Sequence, residues 1–220
     1  MKRNYDNYIH YSVAAVGGFF GGFAVTELSG IFGNAQTVNL LSVVRDAFAG
    51  EPTALLLRLL GAFAYLLGLS LSVLVPRFTR LRSERLALWI DLAAIIALVF
   101  IPSGVSPLVR VYPIFFAASY QWTVFDRIEG YVSATIFSSN NYRQFTTSLL
   151  SYAIDKDRKA LAKARVFGFT LLYFHLGASL ACLGFFFIGG LWVLLGILPI
   201  ASSALLLVLK SKSSGSLRAE

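Results

Sequence analysis

The chain has 220 residues, 57% hydrophobic and only 14% charged, with a net charge of +8 and a mean hydropathy of +0.71. Soluble domains carry about 25% charged and about 45–50% apolar residues. A water-soluble globule of this length is therefore excluded, and the apolar excess calls for a lipid bilayer. The single cysteine, Cys182, excludes an intramolecular disulfide and any cysteine-based metal site.

A spanning helix needs about 20 mainly apolar residues. The first such run is Ile9 to Phe32. It follows Lys2 and Arg3 but is too long for a signal-peptide core, and no small-residue cleavage site follows it, so it reads as a retained helix. Gly17 and Gly21 are four apart, as are Gly18 and Gly22, a spacing that opens a groove for a second backbone. The polar stretch IFGNAQTVN comes next, Ile31 to Asn39, too polar to prolong the run. The interval from Phe32 to Pro52 is long enough for a short re-entrant or interfacial helix. Pro52 to Val75 is the second span, followed by Arg77, Arg80, Arg82 and Arg85.

The third span is Leu86 to Ile101. Its helix is expected to start near Ser83, a suitable N-cap, which places Asp91 roughly 12 Å along the axis. Ser106 to Phe125 is the fourth, broken by Arg110 and Gln121. Asp126, Arg127 and Glu129 mark its boundary. IFSSNNYRQ, Ile136 to Gln144, then echoes the first polar stretch. The charged segment Asp155 to Arg165 is expected to lie on an anionic membrane surface as a lead-in to the fifth span, Val166 to Ile188. The sixth is Leu191 to Leu209. Helices are expected throughout, since no run alternates as an outer-membrane strand would.

The basic residues gather in alternate loops. Lys2 and Arg3, the arginines of 77–85, the residues from Arg127 to Arg165, and Lys210, Lys212 and Arg218 fall on one side. Only Arg45, Arg58 and Arg110 fall on the other. This is the positive-inside bias, which predicts cytoplasmic termini and leaves the charge no nucleic-acid role. Trp89, Trp122 and Trp192, with Tyr5, Tyr8 and Tyr11, suit interfacial belts.

Two halves share one plan. YLLGLSLSVL, from Tyr65, aligns with FHLGASLACL, from Phe174, and Leu88–Trp89 recurs as Leu191–Trp192. Three spans per half force opposite orientations. The predicted fold is all-α: six transmembrane helices in a 3+3 inverted repeat, with polar re-entrant or interfacial segments after helices 1 and 4. The repeats are 1–104 and 105–210, with a cytoplasmic tail at 211–220, in one membrane domain. Sites in such folds lie between the repeats, where helices are interrupted. The candidate solute-binding residues are therefore Asn34, Gln36, Thr37, Asn39, Gln121, Asn140, Asn141 and Arg143. Polar surface loops are the alternative reading of both stretches.

Ionisable groups at membrane depth are functional candidates by default. Glu27, Asp91 and His175 are the three here, as a proton or ion pathway. The alternatives are that Glu27 stays hydrated, that Asp91 pairs with Arg82 or Arg85, and that His175 bonds a neighbouring backbone. No nucleophile elbow, HExxH, phosphate loop or dinucleotide fingerprint is present. No enzyme activity, catalytic residue, metal or cofactor is expected.

The segment GGFFGGFAVTELSGIFGNAQTVN resembles the first signature of the YoaK family, small bacterial membrane proteins of unknown function. Phe32, Asn34, Ala35, Gln36, Thr37 and Asn39 stand at matching positions. QWTVFDRIEGYVSATIFSSNNYRQ is similar to the second, through Gln121, Phe125, Gly130, Thr135, Asn140 and Arg143. The likeness spans the chain and implies the six-span layout, but little about substrate. Val38 replaces a usual glycine, and Gly21 stands near a usual aspartate. The expected function is that of a bacterial inner-membrane transporter or permease-like protein for a small polar or organic solute, with a membrane scaffold or regulatory subunit as the alternative and an intramembrane enzyme ranked last. The expected partners are the bilayer and that solute, with self-association left open. A wet cavity between the halves favours transport; a dry interface favours the scaffold.

Overall fold

A computed structural model of the chain describes residues 5–28, 31–34 and 36–216, with side chains through 213. Lys2, Arg3, Ala35 and Arg218 lie outside the described residues. The order is α1 (Tyr5–Glu27), α2 (Thr37–Ala49), α3 (Pro52–Phe78), α4 (Ser83–Phe100), α5 (Pro107–Arg110), α6 (Tyr112–Val124), α7 (Ser139–Asp155), α8 (Arg158–Leu183) and α9 (Ile197–Ser216). A two-residue hairpin, Arg127–Ile128 with Tyr131–Val132, separates α6 from α7. Among the described residues this is the one pair of strands, and helices joined by turns and loops make up the rest. The tail expected from 211 begins as helix, since α9 continues to Ser216.

Local chemistry sets the boundaries. Gly50 ends α2 with φ 70°, a left-handed C-cap that glycine adopts without strain. Pro52 then opens α3, where its missing N–H is not needed. Lys156 closes α7 in the same left-handed region, and Asp157 caps α8 by accepting from the Lys159 amide at 2.8 Å. After α8 comes a π-turn at Gly184–Ile188, a reversal at Gly189 and Gly190, and a 3-10 turn at Trp192–Gly196.

Among the described residues, four helices are long and apolar enough to cross a membrane: Tyr5–Glu27, Pro52–Phe78, Arg158–Ile188 and Trp192–Ser213. The other two expected spans form α4 and the α5–α6 pair. The 18 residues of α4 include Glu84, Arg85 and Asp91. The 13 residues of α6 reach about 20 Å, less than a hydrocarbon core of about 30 Å.

The packing has a recurrent pattern. α1 lies against α8 and α9, whereas α6 lies against α3 and α4; α2 rests on α3, and α7 on α8. Glycines set the closest approaches. A Cβ at Gly18 would collide with the Phe174 carbonyl, one at Gly177 with the Ala15 carbonyl, and one at Gly22 would sit 2.8 Å from the Ala178 carbonyl. Gly18 and Gly22 thus meet Phe174 and Ala178 in step, so α1 and α8 run parallel. Gly61 and Gly68 meet Phe115 and Phe116–Ser119 in the same way, so α3 and α6 also run parallel. Ser12 bonds Ser203 while Lys210 bonds Asp6, which makes α1 and α9 antiparallel.

α1 is the central helix. Buried residues run without a gap from Ile9 to Ala14 and from Val16 to Ala24. The main core gathers Phe19, Phe20 and Phe23 with Ile95, Ile114, Tyr120 and Trp192.

Candidate functional site

Two non-helical connectors, 31–34 with 36 and 133–138, run inside the protein. Gly33, Asn34, Ser133, Ala134, Thr135 and Ile136 are all buried. Irregular backbone at membrane depth requires such enclosure, because lipid offers it no hydrogen bonds. The two connectors touch. The Asn34 amide donates to the Ile136 carbonyl at 2.6 Å and to the Gly17 carbonyl at 2.7 Å. Gly17 has to be glycine here, because a Cβ would strike the Thr135 carbonyl and lie 2.9 Å from the Ile136 Cα.

One turn earlier on α1, the Gln121 amide donates to the Val13 carbonyl at 3.3 Å and to Thr135 Oγ1 at 3.0 Å. One further turn back, His10 Nε2 lies 3.0 Å from Ser133 Oγ, whose hydroxyl donates to Asn141 Oδ1 at 3.2 Å. His10, Val13, Gly17 and Gly21 are spaced three or four apart and share one face of α1. A Cβ at Gly21 would meet Phe32, Phe174 and the Asn34 amide, at 3.3, 3.5 and 3.6 Å. The result is a polar seam along α1, from His10 to Asn34.

The seam leaves atoms unsatisfied. Asn34 Oδ1, Gln121 Oε1, His10 Nδ1 and both amide atoms of Gln36 are buried without a hydrogen-bond partner. The backbone carbonyls that accept from Asn34 and Gln121 fix which end of each amide is which. The free atom of each is thus an acceptor. In a neutral His10 ring, Nε2 supplies the proton to Ser133 and Nδ1 is an acceptor too. The seam therefore presents three unpaired acceptors.

Both connectors are anchored alike. The Asn39 amide donates to the Phe32 carbonyl at 3.2 Å, and the Asn141 amide to the Ala134 carbonyl at 2.6 Å, each seven residues back. In α2 the buried residues are Asn39 and Asp46; in α7 they are Asn141 and Ser148. Asn39 thus corresponds to Asn141, whereas the shared Ile-Phe pair would place it opposite Gln144. Thr37, Asn140 and Arg143 lie outside the seam. Thr37 and Arg143 are exposed, and Arg143 donates to Asn140 at 3.1 Å. Val38 is exposed on α2.

The three ionisable candidates are not brought together: no hydrogen bond or ion pair joins any two of them. Glu27 pairs with the buried Arg110 at 3.2 Å. His175 is exposed on α8, its Nδ1 lying 2.8 Å from the Leu171 carbonyl. Asp91 is fully buried, and neither carboxylate oxygen has a partner, so neither Arg82 nor Arg85 reaches it. Arg45 and Arg58 share one carboxylate partner. Asp46 accepts from Arg45 Nη2 at 2.6 Å and from Arg58 Nε at 2.7 Å. Those bonds, Arg45's first and Arg58's after it, hold the Asp46 carboxyl below its ordinary range against the opposing effect of burial. Among the described residues, no group of three His, Cys, Asp or Glu side chains could hold a metal ion.

A family model described as "Protein of unknown function (DUF1275)" matches residues 9–208. The chain belongs to this family. No curated protein and no solved structure matches it. The match takes in both connectors and α2 to α8 of this DUF1275 member, with all of α1 but its first four residues and α9 as far as residue 208. Of the residues the sequence singled out as candidates, Asn34 and Gln121 lie in the seam, whereas His10 and Ser133 were not among them. The signal for His10 was available, since it shares a helical face with Gly17 and Gly21. Ser133 carried none, being one serine in a loop whose course only the fold reveals.

Proposed function

We propose that this DUF1275 member is a small-solute permease of a bacterial inner membrane. Its passage follows the α1 seam, and its solute carries hydrogen-bond donors, as an amide, an amine or an organic cation does. The observation that carries this reading is the buried meeting of the two connectors at Asn34 and Ile136, flanked by acceptors without partners. Burying such groups unpaired costs about 1–3 kcal/mol each, which a polar ligand or water would recover.

The wider architecture supports it. The recurrent helix pairings, the matched anchors Asn39 and Asn141, and the crossed contacts Glu27–Arg110 and Asn7–Glu129 fit six spans in a 3+3 inverted repeat. Cytoplasmic termini follow from the basic loops. Within the DUF1275 family, the finer likeness is to YoaK-type proteins. Gly17, Gly18 and Gly177 hold the interface closed, so passage requires the connectors to part from α1.

That same close packing favours the second reading, a scaffold or regulatory subunit whose polar seam only locks helices together. A thermal-shift screen separates the two, because a ligand of the native state raises its Tm. With small amides, amines and organic cations as probes, a permease ligand raises the wild-type Tm but not that of Asn34→Leu or Gln121→Leu. If no probe moves the wild type and none crosses reconstituted liposomes, the scaffold is correct.

A further inference from the structure

A groove of about 390 Å³ lies between α4 and α9. Its walls are apolar: Leu88, Trp89 and Leu92 from α4, with Ala201, Ala204 and Val208 from α9. Arg85 is the one charged residue lining it, and the first of them along α4. From Ile197 to Val208 the groove follows α9 for about 16 Å. Its size is within the usual range of small-molecule sites, about 300–1,000 Å³.

The charge beside this groove is one-sided. Arg77, Arg80, Arg82 and Arg85 are all exposed, and none forms an ion pair among the described residues. The nearest acid on α4, Glu84, is engaged by Lys210 at 3.4 Å. The contrast with the other side is sharp, where Arg45, Arg58 and Arg110 all have carboxylate partners. Trp89 follows Arg85 by one turn, is 67% exposed, and suits the headgroup boundary.

We propose that this groove is a binding site for an anionic phospholipid. An acyl chain lies along Ala201 and Ala204, and the phosphate is held by Arg85 with the arginines of 77–82 behind it. A guanidinium suits this role because it grips phosphate oxygens through two parallel N–H bonds. Anionic lipid is also what a basic juxtamembrane cluster attracts. The small alanines form the floor that lets a chain settle between the helices. This site stands apart from the α1 seam and does not depend on permease activity.

The test uses the full chain reconstituted in vesicles of either dibromo-phosphatidylglycerol or dibromo-phosphatidylcholine, each diluted equally into unbrominated phosphatidylcholine. Bromine quenches tryptophan on contact, and Trp89→Phe identifies the share due to Trp89. We expect at least twofold stronger quenching of Trp89 by the glycerol lipid, loss of that preference in Arg85→Gln, and weaker quenching by both lipids in Ala204→Phe. Ala204 is exposed, so a larger side chain fills the groove without disturbing the core. Equal quenching by both lipids in the wild type overturns the proposal. So does a preference that survives Arg85→Gln and Ala204→Phe together.

Discussion

Asp91 and Asp46 are both buried carboxylates, and they predict opposite behaviour. Asp91 has no partner for either oxygen. Asp91→Leu removes those unmade bonds and is expected to stabilise the fold by about 1–3 kcal/mol at neutral pH, read from denaturant unfolding in detergent. Unchanged or lowered stability means that water or a proton-exchange role holds the aspartate in place. Asp46 is doubly paired, and its carboxyl lies below the ordinary range in the folded state. Its stabilising contribution is therefore present above the ordinary carboxylate pKa of about 4 and is lost as pH falls through the lower folded value. Asp46→Asn should lower Tm at pH 7, with the two proteins converging in acid. A Tm gap that is constant with pH would contradict this. The sequence marked Asp91 as exceptional because a carboxylate inside an apolar run is visible. It did not mark Asp46, whose partners Arg45 and Arg58 come together only when α2 folds back on α3.

The helices show which periodicities carry information. Gly17, Gly18 and Gly22 read correctly as packing positions, since small residues four apart have one main use in a membrane. Gly18→Val should cost at least about 1–3 kcal/mol by overpacking against the Phe174 backbone. Gly104→Ala, with nothing within 4 Å, should stay within about 0.5 kcal/mol. Equal Tm values for the two variants would refute the α1–α8 contact. Two other sequence matches mislead. The repeated Ile-Phe pair sets the connectors three residues out of register with the anchoring Asn39 and Asn141. The repeated Leu-Trp pair joins unlike places, because Trp89 is 67% exposed and Trp192 only 7%. Short apolar matches are poor guides in a leucine-rich chain. The shared Asn, which satisfies a carbonyl seven residues back, is the physical equivalence.

For the molecule as a whole, composition pointed to the membrane class, and run length located the four helices that meet the spanning criterion among the described residues. The other two expected spans do not meet it, because charges interrupt α4 and because α6 ends early to release a connector into the interior. Orientation is testable by single-cysteine labelling in a Cys182→Ala background. Position 80 should react only from the cytoplasmic side and position 190 only from outside. Reaction of position 80 from outside intact cells would invert the topology. The central claim, that the seam opens, is tested most directly at Thr135, which is fully buried between Gln121 and Gly17. Thr135→Cys in the same background, in membranes, is exposed to a small membrane-impermeant methanethiosulfonate from each side. The permease account predicts modification from both sides, slower than at position 80. A cysteine at 135 that stays unreactive from both sides, while position 80 reacts, would contradict it.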